Sequence, residues 1–231
     1  MDINIDAIIL CGGFGTRLKD EVPDLPKALA LVRGRPFLDI LIAQLTSQGI
    51  RRIIFGVGHL SDKIVSYYRN RNDGVFVFSM EESPLGTGGA VKHALQFVRT
   101  DPFLVLNGDS HCNVDFGHMS GYHSRANADM TMAVTRPDDR KDAGAIELGA
   151  DGRILGFHEK DECIGGFVNA GVYLMTKRIF TSAPSTFPLS LEYEFFPELV
   201  QHGKCYGFPI DGELVDIGTP DRLRGAQTKL L

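Results

Sequence analysis

Apolar positions along this chain follow two periods. Residues 7–11 form a short unbroken apolar run that stops at Gly12-Gly13, which predicts a buried strand entering a glycine loop. Across residues 36–49, Phe37, Leu38, Leu41, Ile42 and Leu45 recur at three- and four-residue spacing, predicting an amphipathic helix that Gly49 stops. Residues 52–57 read as the next strand. Ser61 is placed to cap a helix with Ile64, Val65 and Tyr68 on one face. Residues 75–78, 103–106 and 130–135 predict further strands, and residues 88–98 a helix. This alternation predicts an α/β fold with a mostly parallel sheet and helices on both faces.

The texture changes after residue 135. Residues 145–148 and 154–158 flank Gly149-Ala150-Asp151-Gly152, which predicts a hairpin. Residues 172–175 and 214–217 predict strands and residues 191–202 a helix. Thr219 caps a closing helix that Pro220 opens. No linker, low-complexity stretch or repeat interrupts the chain, so residues 1–231 are expected to form a single domain.

Composition narrows the function classes. A chain of 231 residues can bury a sizeable core. A net charge of -5 argues against a broad nucleic-acid-binding face, but a few well-placed cations can still hold small anions. Cys11, Cys112, Cys163 and Cys205 are scattered without a CxxC pair, as expected of reduced thiols rather than a zinc site. The apolar run at residues 7–11 is too short for a signal-peptide core or a membrane span. The expected location is the cytoplasm, with neither nucleic acid nor membrane as partner; oligomeric state is open.

The strongest chemical signal is Leu10-Cys11-Gly12-Gly13-Phe14-Gly15-Thr16-Arg17-Leu18. Glycines after a strand let backbone N–H groups converge on a ligand, and such a nest binds phosphate oxygens. Arg17 adds a cation in the same loop. A P-loop needs GxxxxGK[ST], which is absent. A dinucleotide fingerprint needs GxGxxG, but Gly13-x-Gly15 runs on to Leu18. Lys27 follows Pro26. Alone it reads as a solvated lysine; beside the glycine loop it reads as a phosphate contact.

GGxGTRL followed by PKA resembles the signature of the sugar nucleotidyltransferases. Five further landmarks of that family stand in order over nearly the whole chain. Residues 82–89 (Glu-Ser-Pro-Leu-Gly-Thr-Gly-Gly) resemble the nucleobase-binding turn. Asn107-Gly108-Asp109 resembles the strand end that carries a metal-binding aspartate. Glu159-Lys160 resembles the pair that meets the sugar phosphate, and Asn169-Ala170-Gly171 the sugar-contacting strand start. Asp216-Ile217-Gly218-Thr219-Pro220 resembles the second metal-ligand segment.

The resemblance implies a nucleotide-diphospho-sugar transferase fold, a Rossmann-like mixed sheet with a small sugar-binding β lobe. Residues up to about 110 would form the nucleotide-binding part, and about 111–231 the sugar-phosphate-binding part. It assigns Leu10, Gly12, Gly13, Gly15, Thr16, Arg17, Lys27, Glu82, Pro84, Gly86, Thr87, Gly108 and Asp109 to the nucleotide. Gly144, Glu159, Lys160, Asn169 and Glu192 are assigned to the sugar phosphate, and Asp109 and Asp216 to Mg²⁺. Elementary physics agrees for Asp109: a carboxylate just after an apolar strand sits at the C-terminal edge of the sheet, where open α/β sheets bind ligands. Ordinary turn chemistry is the competing reading of both aspartates. Glu192 is either an acceptor for sugar hydroxyls or an acidic first turn favoured by the helix dipole.

The implied reaction joins a nucleoside triphosphate to a sugar 1-phosphate and releases pyrophosphate, with Arg17, Lys27 and Asp109 carrying catalysis. Residues 84–89 look closest to guanylyl- and uridylyltransferases. Residues 191–197 resemble bacterial D-glycero-D-manno-heptose 1-phosphate guanylyltransferases, which implies GTP as donor and nucleotide-sugar supply for a cell-surface polysaccharide. N-acetylmuramate 1-phosphate uridylyltransferase and mannose-1-phosphate guanylyltransferase are the alternatives. Ala143 precedes Gly144 where many members carry an aromatic, which leaves the sugar open. A non-catalytic binding protein on the same fold would be expected to have lost Arg17, Lys27, Asp109 or Asp216; all four are present. An oxidoreductase would need an acid at the end of the second strand, which instead reads Gly56-Val57-Gly58-His59.

Overall fold

The structure is a computed structural model that describes residues 3–18, 21–136, 145–158, 166–181, 183–184 and 186–230. Its elements in chain order are β1 (Ala7–Leu10), β2 (Leu31–Val32), β3 (Arg35–Pro36), α1 (Phe37–Ser47), β4 (Arg52–Val57), α2 (Ser61–Tyr68), β5 (Val75–Met80) and α3 (Gly86–Ala94). There follow β6 (Phe103–Asn107), β7 (Ser110–His111), α4 (Phe116–Arg125), β8 (Met130–Thr135), β9 (Ala145–Leu148), β10 (Ile154–His158) and β11 (Phe167–Met175). The chain closes with α5 (Phe196–His202), β12 (Cys205–Pro209), β13 (Val215–Asp216) and α6 (Pro220–Lys229).

Among the described residues, nine strands form one mixed sheet. Its path runs β10-β9-β11-β6-β1-β4-β5, with β8 and β12 branching from β11. β6, β1, β4 and β5 are mutually parallel, which the helices between them in sequence make possible. β11 is antiparallel to β6, β8 and β9, so the sheet changes character where the sequence texture changes. Alternation along β1 shows why both faces are covered. Ala7 and Ile9 join one core with Phe37, Leu41, Ile64 and Phe116 of α1, α2 and α4. Ile8 joins the other with Val91 and Ala94 of α3 and Phe196 of α5.

The expected α/β architecture and most element positions are met, with informative departures. α4 was not foreseen: its buried face is Phe116, Met119 and His123, interrupted by Gly117 and Gly121, so the helical period is thin in sequence. Its N-cap Asp115 accepts the His118 N–H at 2.8 Å. β12 was missed because Gly207 and Pro209 disguise it; its ladder runs along β8, with a single bridge from Tyr206 to Arg153 on its other side. Ser61 does not cap α2: the chain enters through Leu60 at φ 55, so Ser61 is already helical. Residues 191–195 form a π-helical turn before α5, because Pro197 has no N–H to donate to the carbonyl four residues back. Thr219 does cap α6, accepting the Arg222 N–H at 3.4 Å.

Cys11, Cys112 and Cys205 are free and buried; Cys163 lies outside the described residues. No helix among the described residues is long and apolar enough to cross a membrane.

Candidate active site

The C-terminal ends of β1, β4 and β6 frame the site, where backbone groups of three strands run out together. The Cys11 N–H donates to Gly56 O at 2.7 Å, and the Gly108 N–H to Leu10 O at 3.0 Å. These close approaches explain the glycines. A Cβ on Gly108 would lie 2.5 Å from Leu10 O, and one on Gly12 would lie 2.9 Å from Glu81 Oε1. Gly15 adopts φ +59 where the loop turns into Thr16–Leu18.

Lys27 begins a short 3-10 turn after Pro26, and its Nζ reaches Asp109 Oδ2 at 2.5 Å. Ser110 Oγ donates to the other carboxylate oxygen at 3.1 Å. Asp216 arrives from a remote part of the chain: β13 pairs antiparallel with β7, setting Asp216 opposite Ser110, and the Ile217 N–H donates to Asp109 O at 3.0 Å. Asp216 Oδ1 accepts the Gly218 N–H at 2.9 Å and Arg222 Nη1 at 3.3 Å. A Cβ on Gly218 would lie 2.9 Å from Asp216 Oδ1 and 3.5 Å from Lys27 Nζ, so both carboxylates and the ammonium share one corner. Arg222 and Lys27 offset part of the mutual repulsion of the two acids.

Two segments a hundred residues apart in sequence make the opposite wall. The Leu189 N–H donates to Leu85 O at 2.8 Å, and the Gly88 and Gly89 N–H groups donate to Leu189 O at 2.8 and 3.3 Å. Gly86 sits at φ +74, and a Cβ there would lie 2.4 Å from Leu189 O. Lys92 Nζ donates to Ala183 O and Pro184 O, pinning the far segment to α3. Thr87 Oγ1 donates to Glu192 Oε2 at 2.8 Å.

These walls enclose a cavity of about 490 Å³. Ten sequence-predicted residues line it: Leu10, Gly12, Gly13, Lys27, Pro84, Gly86, Thr87, Gly108, Asp109 and Glu192. Gly15 and Thr16 line a smaller adjoining pocket with Lys27. Arg17 is exposed, lines neither pocket, and makes no side-chain hydrogen bond or ion pair among the described residues. Asn169 faces elsewhere: its Nδ2 donates to the Tyr173 hydroxyl at 2.7 Å and its Oδ1 accepts the Gly171 N–H, which shapes the bulge in β11. Gly144, Glu159 and Lys160 lie outside the described residues.

Sequence reasoning named Glu82, but Glu82 is exposed in a side pocket with Phe14 and His59, and Glu81 lines the main cavity. The Glu81 N–H donates to Val57 O at 2.9 Å, continuing the β4–β5 ladder by one residue. Glu81 therefore shares the face of Ser79, which bonds His93 of α3, while Glu82 takes the opposite face. Burial raises the Glu81 carboxyl above its ordinary range, and the Leu85 N–H partly offsets this. Asn107, Pro188 and Cys11 also line the cavity. The Cys11 thiol is held neutral, chiefly by burial and then by the nearby Asp109 charge, so it is no nucleophile.

Among the described residues no cluster of three or more His, Cys, Asp or Glu side chains could hold a metal unaided. The Asp109–Asp216 pair suits a hard cation that completes its shell with substrate oxygens and water.

The model of the family described as nucleotidyl transferase matches residues 6–231. The chain is 36% identical to a D-glycero-alpha-D-manno-heptose 1-phosphate guanylyltransferase of Aneurinibacillus thermoaerophilus, over 98% of each chain. It is 31% identical to a mannose-1-phosphate guanylyltransferase of Mycobacterium tuberculosis, over 96% of this chain and 64% of that protein. The crystal structure of HddC from Yersinia pseudotuberculosis complexed with GMP-PN superposes with a TM-score of 0.85 at 31% identity, covering 98% of this chain and all of that one. With its glycine loop, paired aspartates and cavity wall in place over that same span, the chain belongs to the nucleotidyl transferase family.

Proposed function

We propose that this chain transfers guanylyl from GTP to D-glycero-α-D-manno-heptose 1-phosphate, giving GDP-heptose and pyrophosphate. The observation that carries this reading is the end-to-end match to a heptose 1-phosphate guanylyltransferase, set against a mannose relative of which the chain spans only 64%. The fit to a structure holding a guanine nucleotide analogue supports the same donor.

The chemistry is a single in-line displacement. A phosphate oxygen of the sugar 1-phosphate attacks the α-phosphorus of GTP, the bond to the β-phosphate oxygen breaks, and pyrophosphate leaves with the electron pair. The attacking phosphate is already anionic, so no protein nucleophile is required, and the protein contributes positioning and charge neutralisation. The amides of Gly12 and Gly13 hold phosphate oxygens. Arg17, which is exposed and follows the glycine loop, takes the leaving phosphates, and Lys27 offsets charge at the α-phosphate. Glu81 meets the base: guanine offers two adjacent donors, N1–H and N2–H, that suit a carboxylate. Glu192 accepts sugar hydroxyls, and the family resemblance gives Gly144, Glu159 and Lys160 to the sugar phosphate, whereas Asn169 shapes the bulge in β11.

Asp109 and Asp216 would hold Mg²⁺, which when bound neutralises charge developing on the phosphates. In this reading residues up to about 110 hold the nucleotide and about 111–231 the sugar phosphate, with Pro188 and Glu192 of the second part lining the same cavity as Gly12 and Asp109 of the first. Such a product supplies an activated sugar for cell-surface polysaccharide in the cytoplasm.

The deciding experiment measures pyrophosphate release with Mg²⁺, crossing GTP, UTP, CTP, ATP and dTTP against heptose, mannose, glucose and N-acetylmuramate 1-phosphates. Release with GTP and the heptose phosphate alone is expected. Preferential release with mannose 1-phosphate, or with UTP and N-acetylmuramate 1-phosphate, overturns the substrate assignment.

A further inference from the structure

Thr87 stands at a junction that neither the base nor the phosphates account for. It is the second residue of α3, in the turn proposed to meet the base. Its hydroxyl is used in both directions: Oγ1 accepts the Leu191 N–H at 2.8 Å and donates to Glu192 Oε2 at 2.8 Å. With the single hydroxyl proton committed to the carboxylate, the rotor has one orientation. Ser190 Oγ donates to the same Oε2 at 3.2 Å, whereas Oε1 accepts no hydrogen bond among the described residues. One edge of the Glu192 carboxylate is thus anchored to the base turn, and the carboxylate borders the cavity.

The backbone makes that anchor stiff. The bonds from Leu189 N–H to Leu85 O and from Gly88 N–H to Leu189 O lie on either side of Thr87, and the glycines at 86 and 88 let the two segments touch. Any shift of the base turn carries Leu191 and Glu192 with it.

We infer that Thr87 is a positioning residue that couples the two substrate subsites: nucleotide seated on residues 84–87 sets the Glu192 carboxylate for the sugar hydroxyls. This rests on the reading of Glu192 as the sugar-facing acceptor.

The test uses steady-state kinetics with GTP and D-glycero-α-D-manno-heptose 1-phosphate on the full chain. Thr87→Val keeps the shape and removes both bonds; Thr87→Ser keeps the hydroxyl. Thr87→Val should raise the KM for the sugar phosphate about tenfold or more, the loss expected for a hydrogen bond to a charged group. Thr87→Ser should restore it. In a Glu192→Ala background, which removes every acceptor oxygen, Thr87→Val should raise that KM no further. Ser190→Ala, which removes the longer bond to Glu192 together with the cap bond to Tyr193, should move the same KM in the same direction and serves if Thr87→Val does not fold. A Thr87→Val effect confined to the KM for GTP overturns the coupling, as do additive effects of Thr87→Val and Glu192→Ala. If Glu192→Ala itself leaves the sugar-phosphate KM unchanged, the Glu192 assignment falls and the coupling with it.

Discussion

Lys27 Nζ lies 2.5 Å from Asp109 Oδ2, although 82 residues separate them along the chain. The lysine comes from a turn after β1 and the aspartate from the end of β6, so the pair exists only once the parallel sheet has formed. In the proposed reaction this pair would set cation and anion beside the triphosphate and its metal ion. Asp109→Asn keeps the shape and most hydrogen bonding but halves the acidic pair. Turnover should fall at least about a hundredfold while the melting temperature stays close to that of the parent. Pyrophosphate release and a thermal melt on the same sample check this; full Mg²⁺-dependent activity in the variant would falsify the metal assignment.

Lys27→Met should lower kcat by about a hundredfold, the usual loss when one charge-stabilising group is removed. Chelation with EDTA should silence the parent enzyme, and added Mg²⁺ should restore it. Rates that ignore EDTA would remove the need for the two aspartates.

Glu81→Gln replaces two acceptor oxygens with one acceptor and one donor that faces guanine's own donors. The kcat/KM for GTP should drop about ten- to a hundredfold. Glu82→Gln should change it little, because Glu82 is exposed and outside the main cavity. Equal losses in the two variants would return the base to the side pocket.

Gly86→Ala adds a Cβ 2.4 Å from Leu189 O at a φ of +74. Destabilisation of about 1–3 kcal/mol is expected, with a raised KM for GTP, because the turn must open to admit the methyl group. Urea unfolding measures the first and initial rates the second.

His123 sits 4% exposed on α4, its Nδ1 2.9 Å from Thr131 Oγ1. Burial, helped by the Arg178 charge, pushes its pKa down from 6.5 to about 4. The unfolded chain takes up the proton first as pH falls, so stability is intact above pH 6.5 and drains away between 6.5 and about 4. The loss from this group is of order 3 kcal/mol. In His123→Gln the decline in melting temperature over that window should flatten; an unchanged decline would assign it to carboxylates.

Much of this arrangement is legible in the residues. The glycine loop, Lys27, Asp109 and the base turn announce themselves because each couples a backbone constraint to a charged or glycine position, and such couplings survive in one dimension. Glu81 was lost to Glu82 because the face of a strand residue depends on where the ladder ends, and here it runs three residues past the apolar stretch at 75–78. The role of residues 187–192 was hidden for another reason: contacts such as Leu85 with Leu189 are set by tertiary approach, not by local spacing. α4 and β12 escaped because His123 serves as a core residue and because Gly207 and Pro209 occupy a strand.

The pairing of β13 with β7 brings Asp216 to Asp109 only when residue 216 is in place. Chain synthesis runs from the N-terminus, so a nascent chain holds its glycine loop, Lys27 and Asp109 long before it holds the second acid. The sheet can assemble around β1, β4 and β6 in that interval, yet the corner that would receive a metal–triphosphate complex has one carboxylate, already neutralised by Lys27. The two-acid corner is therefore assembled only after the chain has been made past Asp216 and β13 has paired with β7.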